Sequence, residues 1–195
     1  MARPPIVLAS TSRYRRELLE RLRLPFVVHA PQVDEATLPG ETPRKTALRL
    51  AHRKATDVVA RVPGAVVIGS DQTLDLDGIT LSKPLLHQMA LAQLQSLQGR
   101  TAVFYTALAV IGPAAENIRI DCVPTTVTFR KLPAAQLDAY LRADQPYDCA
   151  GAAKIESLGI ALIERAESDD PTALIGLPLI RLTSMLASAG IDVLA

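Results

Sequence analysis

The sequence contains no tryptophan, three phenylalanines and four tyrosines, so aromatic residues make up only 4% of its 195 residues. With few rings to stack on bases and no extended basic stripe, the chain is not expected to bind a nucleic-acid polymer. The formal net charge is +1. This balance gives no bulk field for nucleic acid or for an acidic membrane surface.

Cysteine and histidine are also scarce. The two cysteines, Cys122 and Cys149, match neither a disulfide framework nor a zinc signature, and we interpret them as free thiols. The three histidines lack the spacing of metal ligands. No apolar run is long enough to cross a bilayer, and no secretory signal follows Arg3. We therefore expect a cytoplasmic protein without membrane contact.

The segment over residues 6–22 has the most informative local pattern. An apolar run over residues 6–9 predicts a buried strand, and three hydroxyl residues including Ser10 follow it. An arginine-rich stretch with leucines at helical spacing then predicts an amphipathic helix. The free N–H groups at the start of this helix, together with the arginines, favour a phosphate site. A capped surface helix with solvated arginines explains the local pattern equally well.

Strand and helix patterns alternate along the rest of the chain. We predict strands over 25–30, 66–69, 101–111, 118–129 and 160–163, a hairpin over 73–81, and helices over 43–62, 86–97, 133–143 and 178–186. The predicted fold is α/β, with a mixed sheet flanked by helices. We expect one domain over residues 1–195, with a possible division into two lobes.

Polar and charged side chains cluster just beyond the predicted strands. They lie in the segments 10–16, 34–35, 70–72, 83 and 154–156. Such strand ends are where α/β proteins place ligands, and the carboxylates, lysines and arginines together suit a metal–polyphosphate site. Taken singly, each group is ordinary, as a helix cap or a solvated surface residue. Neither a G-x-x-x-x-G-K loop nor a G-x-G-x-x-G fingerprint is present.

Several short motifs carry a resemblance to a known family. They are Leu8-Ala9-Ser10-Thr11-Ser12 with Arg15-Arg16, Val33-Asp34-Glu35, Gly69-Ser70-Asp71-Gln72, Leu76-Asp77-Gly78 with Ser82-Lys83-Pro84, Phe104-Tyr105-Thr106, and Gly176-Leu177-Pro178-Leu179. In this order, and over nearly the whole chain, they resemble the Maf-like nucleoside triphosphate pyrophosphatases. Within the family, Ser70-Asp71-Gln72 and the segment 149–156 resemble the 7-methyl-GTP pyrophosphatase branch.

The resemblance implies an elongated α/β fold with a central cleft, a divalent metal (Mg²⁺, Mn²⁺ or Co²⁺), a homodimer, and hydrolysis of a nucleotide between its α- and β-phosphates. Asp71 matches the position of the proton acceptor. The positions that select the base are matched by Tyr14, Gln72 and Glu156. The phosphate- and metal-handling positions are matched by Arg15, Glu35, Lys54, Lys83 and Lys154, and Ser10 belongs to the phosphate site at the start of the first helix.

The residue types suit this chemistry. A triphosphate repels a hydroxide nucleophile, so the cationic side chains and a metal held by Glu35 and Asp71 must first neutralise it. Asp71 is suited either to deprotonate a water or to hold the metal, and the sequence does not separate these roles. Tyr14 can stack on a cationic 7-methylguanine. Glu156 can accept hydrogen bonds from the guanine edge, and Gln72 can both donate and accept.

Two other functions stay open. The first is a pyrophosphatase for other canonical or modified nucleotides, such as dTTP or UTP. Tyr14 stands where the 7-methyl-GTP branch usually carries Trp, and residues 152–155 also depart from the branch pattern. The second is a nucleotide-binding regulator of septum formation, for which binding without turnover would suffice.

Overall fold

We describe the protein from a computed structural model, which covers residues 3–114 and 117–195. The strands are β1 (Ile6–Ala9), β2 (Phe26–His29), β3 (Val66–Leu76), β4 (Ile79–Leu81), β5 (Thr101–Ile111), β6 (Ile118–Phe129) and β7 (Ile163–Ser168). The helices are α1 (Arg13–Glu20), α2 (Pro43–Val59), α3 (His87–Leu97), α4 (Ala134–Asp144) and α5 (Leu179–Ser188). None of these helices combines the length and apolar character needed to cross a bilayer.

The strands form one mixed sheet of seven strands in the order β2-β1-β3-β5-β6-β7, with β4 paired onto β3. The strand β1 is parallel to β2 and β3, whereas the strands from β3 to β7 pair in antiparallel fashion. The long strands β5 and β6 have the predicted bounds. The α/β prediction with a mixed, helix-flanked sheet is confirmed.

Helices cover both faces of the sheet. On one face, α2 packs its alanines against alternate residues of β3 and β5, such as Val67 and Ala109. On the other face lie two separate apolar clusters. One joins Ile68 to α1 and α5, and the other joins Leu74 to α3 and α4. Along β3, the residues between these two clusters on that face are Ser70 and Gln72, so a polar layer separates them.

The prediction that the apolar strand ends at Ser70 is wrong. The strand β3 continues to Leu76, and residues 70–72 lie in its middle. The polar side chains do not end it because β5 pairs with β3 from Val67 to Asp75.

The predicted strand over 160–163 is also wrong, because residues Leu158–Leu162 form a 3-10 turn. The strand that follows that turn, β7, was not predicted. It lies at the sheet edge with mostly exposed side chains, so its sequence has no apolar alternation.

The middle of β3 has a strand partner on one side only. On the other side β1 pairs with residues 66–69 and β4 pairs with residues 74–76. Residues 70–73 therefore face a gap between the carboxyl end of β1 and the hairpin. Side chains alternate along a strand, so Asp71 lies on one face of the sheet and Gln72 on the other. Because no strand fills the gap beside them, both side chains have access to the same space.

Gly69 allows α2 to approach the sheet closely. A Cβ atom at this position would lie 2.3 Å from the backbone oxygen of Ala51 and 2.8 Å from the backbone nitrogen of Ala55. Backbone atoms of a helix cannot give way as a flexible side chain can. The absence of a side chain at residue 69 therefore determines how near the next turn of α2, with Lys54, comes to β3.

Gly69→Ala is expected to destabilise the fold by about 2–3 kcal/mol and to lower activity, because α2 must move away from β3. Denaturant unfolding and steady-state kinetics measure the two effects. Gly64→Ala is the control for backbone entropy, since nothing lies within 4 Å of its Cβ position, although its φ of +80° adds strain. Unchanged activity in Gly69→Ala would contradict the role of this close approach.

Candidate active site

A cleft of about 630 Å³ opens at the gap beside β3. This volume is within the range of small-molecule sites. All but one of the predicted site residues line it. They are Ser10, Tyr14, Arg15, Glu35, Lys54, Asp71, Gln72, Lys83 and Glu156. These residues come from six separate parts of the chain, which the sheet topology brings together.

The centre of the cleft is an ionic triad of one lysine and two carboxylates. The Lys54 ammonium nitrogen lies 2.7 Å from Glu35 Oε1 and 2.7 Å from Asp71 Oδ1. The lysine and Asp71 side chains are only 6% and 9% exposed, whereas Glu35 is 53% exposed. Breaking a buried charge pair is costly, so Lys54 holds Asp71 more firmly than it holds Glu35.

The two carboxyl groups differ in proton affinity. Burial raises the pKa of Asp71, although the charges of Lys54 and Arg15 oppose this effect. Burial also acts to raise the pKa of Glu35, but its hydrogen bond to Lys54 and the charges of Lys54, Lys83 and Arg15 outweigh it, so the pKa is lowered. Asp71 is therefore the better proton acceptor of the two, and Glu35 is the more firmly ionised carboxylate.

The amino-terminal end of α1 forms one wall of the cleft. The Ser12 hydroxyl caps this helix by accepting from Arg15 N at 3.4 Å, and Ser10 Oγ accepts from Ser12 N at 3.1 Å. Arg15 Nε donates to the carbonyl of Gly176 at 2.9 Å, which fixes its guanidinium. Burial lowers the pKa of Arg15. A positive helix end and a fixed guanidinium together suit a phosphate group.

The loop that carries Glu35 is held from α2. Arg49 donates to both carboxylate oxygens of Glu41, at 2.7 and 2.6 Å, and to the Ala36 carbonyl at 2.9 Å. The Arg49 hydrogen bond holds the pKa of Glu41 down at about 2.

The exposed Lys83 lies across the cleft, between β4 and α3. It places a positive charge at the rim.

The other end of the cleft carries the predicted base-selecting residues. The Arg13 guanidinium carbon lies 4.7 Å from the centroid of the Tyr14 ring, so one face of the ring is already covered. A base can stack on the opposite face or displace Arg13. Partial burial raises the pKa of Glu156. The amide nitrogen of Gln72 is bonded within the protein, which leaves its oxygen for the cleft.

Lys154 is the predicted site residue that the structure does not place in the cleft wall. Its ammonium nitrogen lies 3.2 Å from Asp144 Oδ1, and the same oxygen accepts from Ser157 Oγ at 2.7 Å. Asp144 is only 8% exposed. This contact holds the loop that carries Glu156, so Lys154 is positioned to support the part of the cleft wall that Glu156 forms.

The two carboxylates could hold a divalent cation whose remaining coordination positions are filled by oxygens of the substrate. Glu35 and Asp71 converge on one ammonium group, and Mg²⁺ commonly binds through one or two carboxylates plus phosphate oxygens. Within residues 3–114 and 117–195, no group of three or more His, Cys, Asp or Glu side chains is arranged to hold a metal by itself. A divalent cation at Glu35 and Asp71 would therefore need further oxygen ligands from another source, such as phosphate groups.

Three residues that support the site were missed by the sequence reasoning. They are Arg49, Asp144 and Thr106, whose hydroxyl contacts Gln72. Thr106 gave a usable signal, because it lies in the motif Phe104-Tyr105-Thr106, although no role was assigned to it. Arg49 and Asp144 lie on amphipathic helices, where charged residues are ordinary, so nothing in the local pattern distinguishes them.

This mixed sheet, with a buried carboxylate–lysine pair beside a helix end and basic side chains, defines an enzyme-like site for a phosphorylated ligand. The chain belongs to the Maf-like family, because residues 5–189 match the profile of the family described as Maf-like protein. It is 59% identical over 191 residues to a 7-methyl-GTP pyrophosphatase of Thiobacillus denitrificans. The match covers 98% of this chain and 95% of the relative. A protein of the same name in Methylobacillus flagellatus is 53% identical, and the match covers 98% of this chain and 100% of the relative. Another in Cupriavidus metallidurans is 56% identical, and the match covers 96% of this chain and 94% of the relative.

Proposed function

We propose that this protein is a nucleotide pyrophosphatase that hydrolyses 7-methyl-GTP to 7-methyl-GMP and pyrophosphate. The observation that carries the proposal is the buried Asp71–Lys54 pair at 2.7 Å, which lies in a cleft lined by basic side chains. Relatives with more than half of their residues identical, over nearly their full length, carry that activity in their names.

At the phosphate end, Arg15, Lys54 and Lys83 neutralise the triphosphate and orient it at the start of α1. A water attacks the α-phosphorus, the bond to the bridging oxygen breaks, and pyrophosphate leaves. Asp71 takes the proton of the attacking water, and its raised pKa makes it a stronger base than an exposed aspartate. A divalent cation (Mg²⁺, Mn²⁺ or Co²⁺), held by Glu35 and Asp71, would neutralise phosphate charge and lower the pKa of bound water.

At the base end, the positive charge of 7-methylguanine is matched by two features. The free face of Tyr14 offers a cation–π contact. The carboxylate of Glu156 accepts from the guanine edge while it offsets the charge. Since both residues line the same cleft as Asp71, one nucleotide can span the two ends. Selection of a modified nucleotide suits a role in cleaning the cytoplasmic nucleotide pool, and a homodimer belongs to the same proposal.

Purified protein with Mg²⁺ is expected to release pyrophosphate from 7-methyl-GTP with a kcat/KM at least about fivefold above that for GTP, ATP, UTP and dTTP, because stacking differences of this kind contribute about 1 kcal/mol or more. Coupled pyrophosphate detection over this panel measures the ratio. A preference for UTP or dTTP would contradict the base assignment while leaving Asp71 and its metal in place. Absence of release with Mg²⁺, Mn²⁺ and Co²⁺ alike would favour a regulator that binds nucleotide without turnover.

A further inference from the structure

The amide of Gln72 is held in one orientation by three acceptors. Its Nε2 lies 2.9 Å from Thr106 Oγ1, 3.1 Å from the Ala173 carbonyl and 3.1 Å from the Leu174 carbonyl. Thr106 and Gln72 are direct partners in the β3–β5 ladder, which places their side chains next to each other. Because an amide nitrogen has two hydrogens, these acceptors use its whole donor capacity.

The opposite orientation of the amide is excluded by the same contacts. A rotated amide would place Oε1 against two carbonyl oxygens, which are acceptors only. Thr106 Oγ1 donates its proton to the Ala173 carbonyl at 2.9 Å, so toward Gln72 the hydroxyl can only accept. The Thr106 hydroxyl is fully buried, and water cannot replace it without cost.

We propose that Thr106 is a positioning residue for base selection, which together with the Ala173 and Leu174 carbonyls locks the Gln72 amide so that only its oxygen meets the nucleotide. The proposal deepens the proposed function, on which it rests for the identity of the ligand. It refines the expectation that Gln72 both donates and accepts. In the folded protein Gln72 acts toward the base as an acceptor alone.

An acceptor-only Gln72 selects a particular edge of the base. Guanine offers two adjacent donors, N1–H and the N2 amine, and these suit Gln72 Oε1 together with the Glu156 carboxylate. Adenine offers an acceptor at N1, which would face an oxygen and leave both groups without a hydrogen bond. A site with buried polar groups discriminates strongly against a ligand that leaves them unpaired. N7 lies on the opposite edge of guanine from N1–H and the N2 amine, so we expect Thr106 to affect the choice of guanine against adenine and not the choice of a methylated base.

The test measures binding of the nucleoside monophosphates by calorimetry, which does not require turnover. Thr106→Val keeps the side-chain shape and removes the hydroxyl, and Thr106→Ser retains it. We expect Thr106→Val to lower the GMP-to-AMP affinity ratio about tenfold, the factor that corresponds to one net hydrogen bond. The 7-methyl-GMP-to-GMP ratio should not change. Thr106→Ser should restore most of the preference, and Thr106→Ala gives a second variant without the hydroxyl.

Two controls separate positioning from a general structural effect. Thr125→Val removes another buried hydroxyl, which donates to Ser168 Oγ at 3.0 Å and lies outside the cleft lining, and it should leave the ratio unchanged. In a Gln72→Ala background, Thr106→Val should have no further effect on the ratio, because the two residues act as one unit.

The outcomes for the inference and for the proposed function are distinct. An unchanged ratio in Thr106→Val, or a wild-type protein that does not prefer GMP over AMP, would overturn the positioning role. A further fall of the ratio in the Gln72→Ala background would overturn it as well. If the wild-type protein and the Thr106 variants show the expected ratios but the wild-type protein releases no pyrophosphate, the proposed activity is contradicted and the role of Thr106 in base selection is supported.

Discussion

Asp71→Asn is expected to lower kcat by roughly 10²–10⁴-fold, the usual contribution of a positioned general base, with little change in KM. The amide keeps the shape of the carboxyl group and can still accept from Lys54, whose Nζ lies 2.7 Å away. It cannot take up a proton from water. Arg15, Lys54 and Lys83 remain in place to bind the phosphates, so single-turnover kinetics and nucleotide binding should separate the lost chemistry from retained affinity.

The pH dependence of the wild-type enzyme tests the same assignment. Because burial raises the pKa of Asp71 above its ordinary value of 3.8, the carboxylate becomes available as a base only at a pH above that of an exposed aspartate. The value of kcat/KM, which reports groups of the free enzyme, should therefore fall, as the pH is lowered, at a higher pH than an exposed aspartate would give. This acid limb should be absent from the residual activity of Asp71→Asn.

Asp34→Asn is the matched control, because Asp34 is an exposed carboxylate in the same loop as Glu35 and its Oδ1 accepts from Ala36 N at 2.9 Å. It should retain nearly full activity. Turnover that survives in Asp71→Asn would show that Asp71 is not the base. An effect on septum formation that survives the loss of turnover would favour the regulator hypothesis.

The order of strands and helices follows from hydrophobic pattern, and the differences have a physical cause. The apolar runs of β1, β5 and β6 fill the centre of the sheet, and pattern reasoning finds such strands reliably. The middle of β3 was misread because Ser70 and Gln72 are polar although they lie inside a strand. Their polarity is balanced by partners that are distant in sequence, at Gly176 and Ala173. No local pattern contains that information.

The members of the site were easier to predict than the contacts among them. The family resemblance pointed to Glu35, Lys54 and Asp71. It did not show that the ammonium group of Lys54 contacts both carboxylates. That contact depends on the approach of α2 to Gly69, which only the three-dimensional packing determines. The position of Lys154 against Asp144 depends in the same way on how α4 packs beside the 154–159 loop.

Lys54→Met is expected to lower the free energy of unfolding by about 3 kcal/mol at neutral pH, because it leaves the buried carboxylate of Asp71 without its partner. Methionine retains most of the side-chain volume, so the loss is electrostatic more than steric. Denaturant unfolding of both proteins at several pH values measures the effect. Lys45→Met, an exposed position on the same helix, should change stability by less than about 0.5 kcal/mol.

The pH dependence of this loss identifies its source. Without Lys54, the folded-state pKa of Asp71 rises further above its unfolded value, since the removed charge favoured the ionised form. A group with a raised folded-state pKa destabilises the fold as the pH rises through that pKa, so the loss should be greatest at neutral pH and should shrink on acidification. Adding Asp71→Asn to Lys54→Met should restore most of the lost stability, because the uncompensated charge is then gone. A loss that stays constant with pH, or that persists in the double variant, would assign the role of Lys54 to packing and would remove the ionic triad as the structural basis of the site.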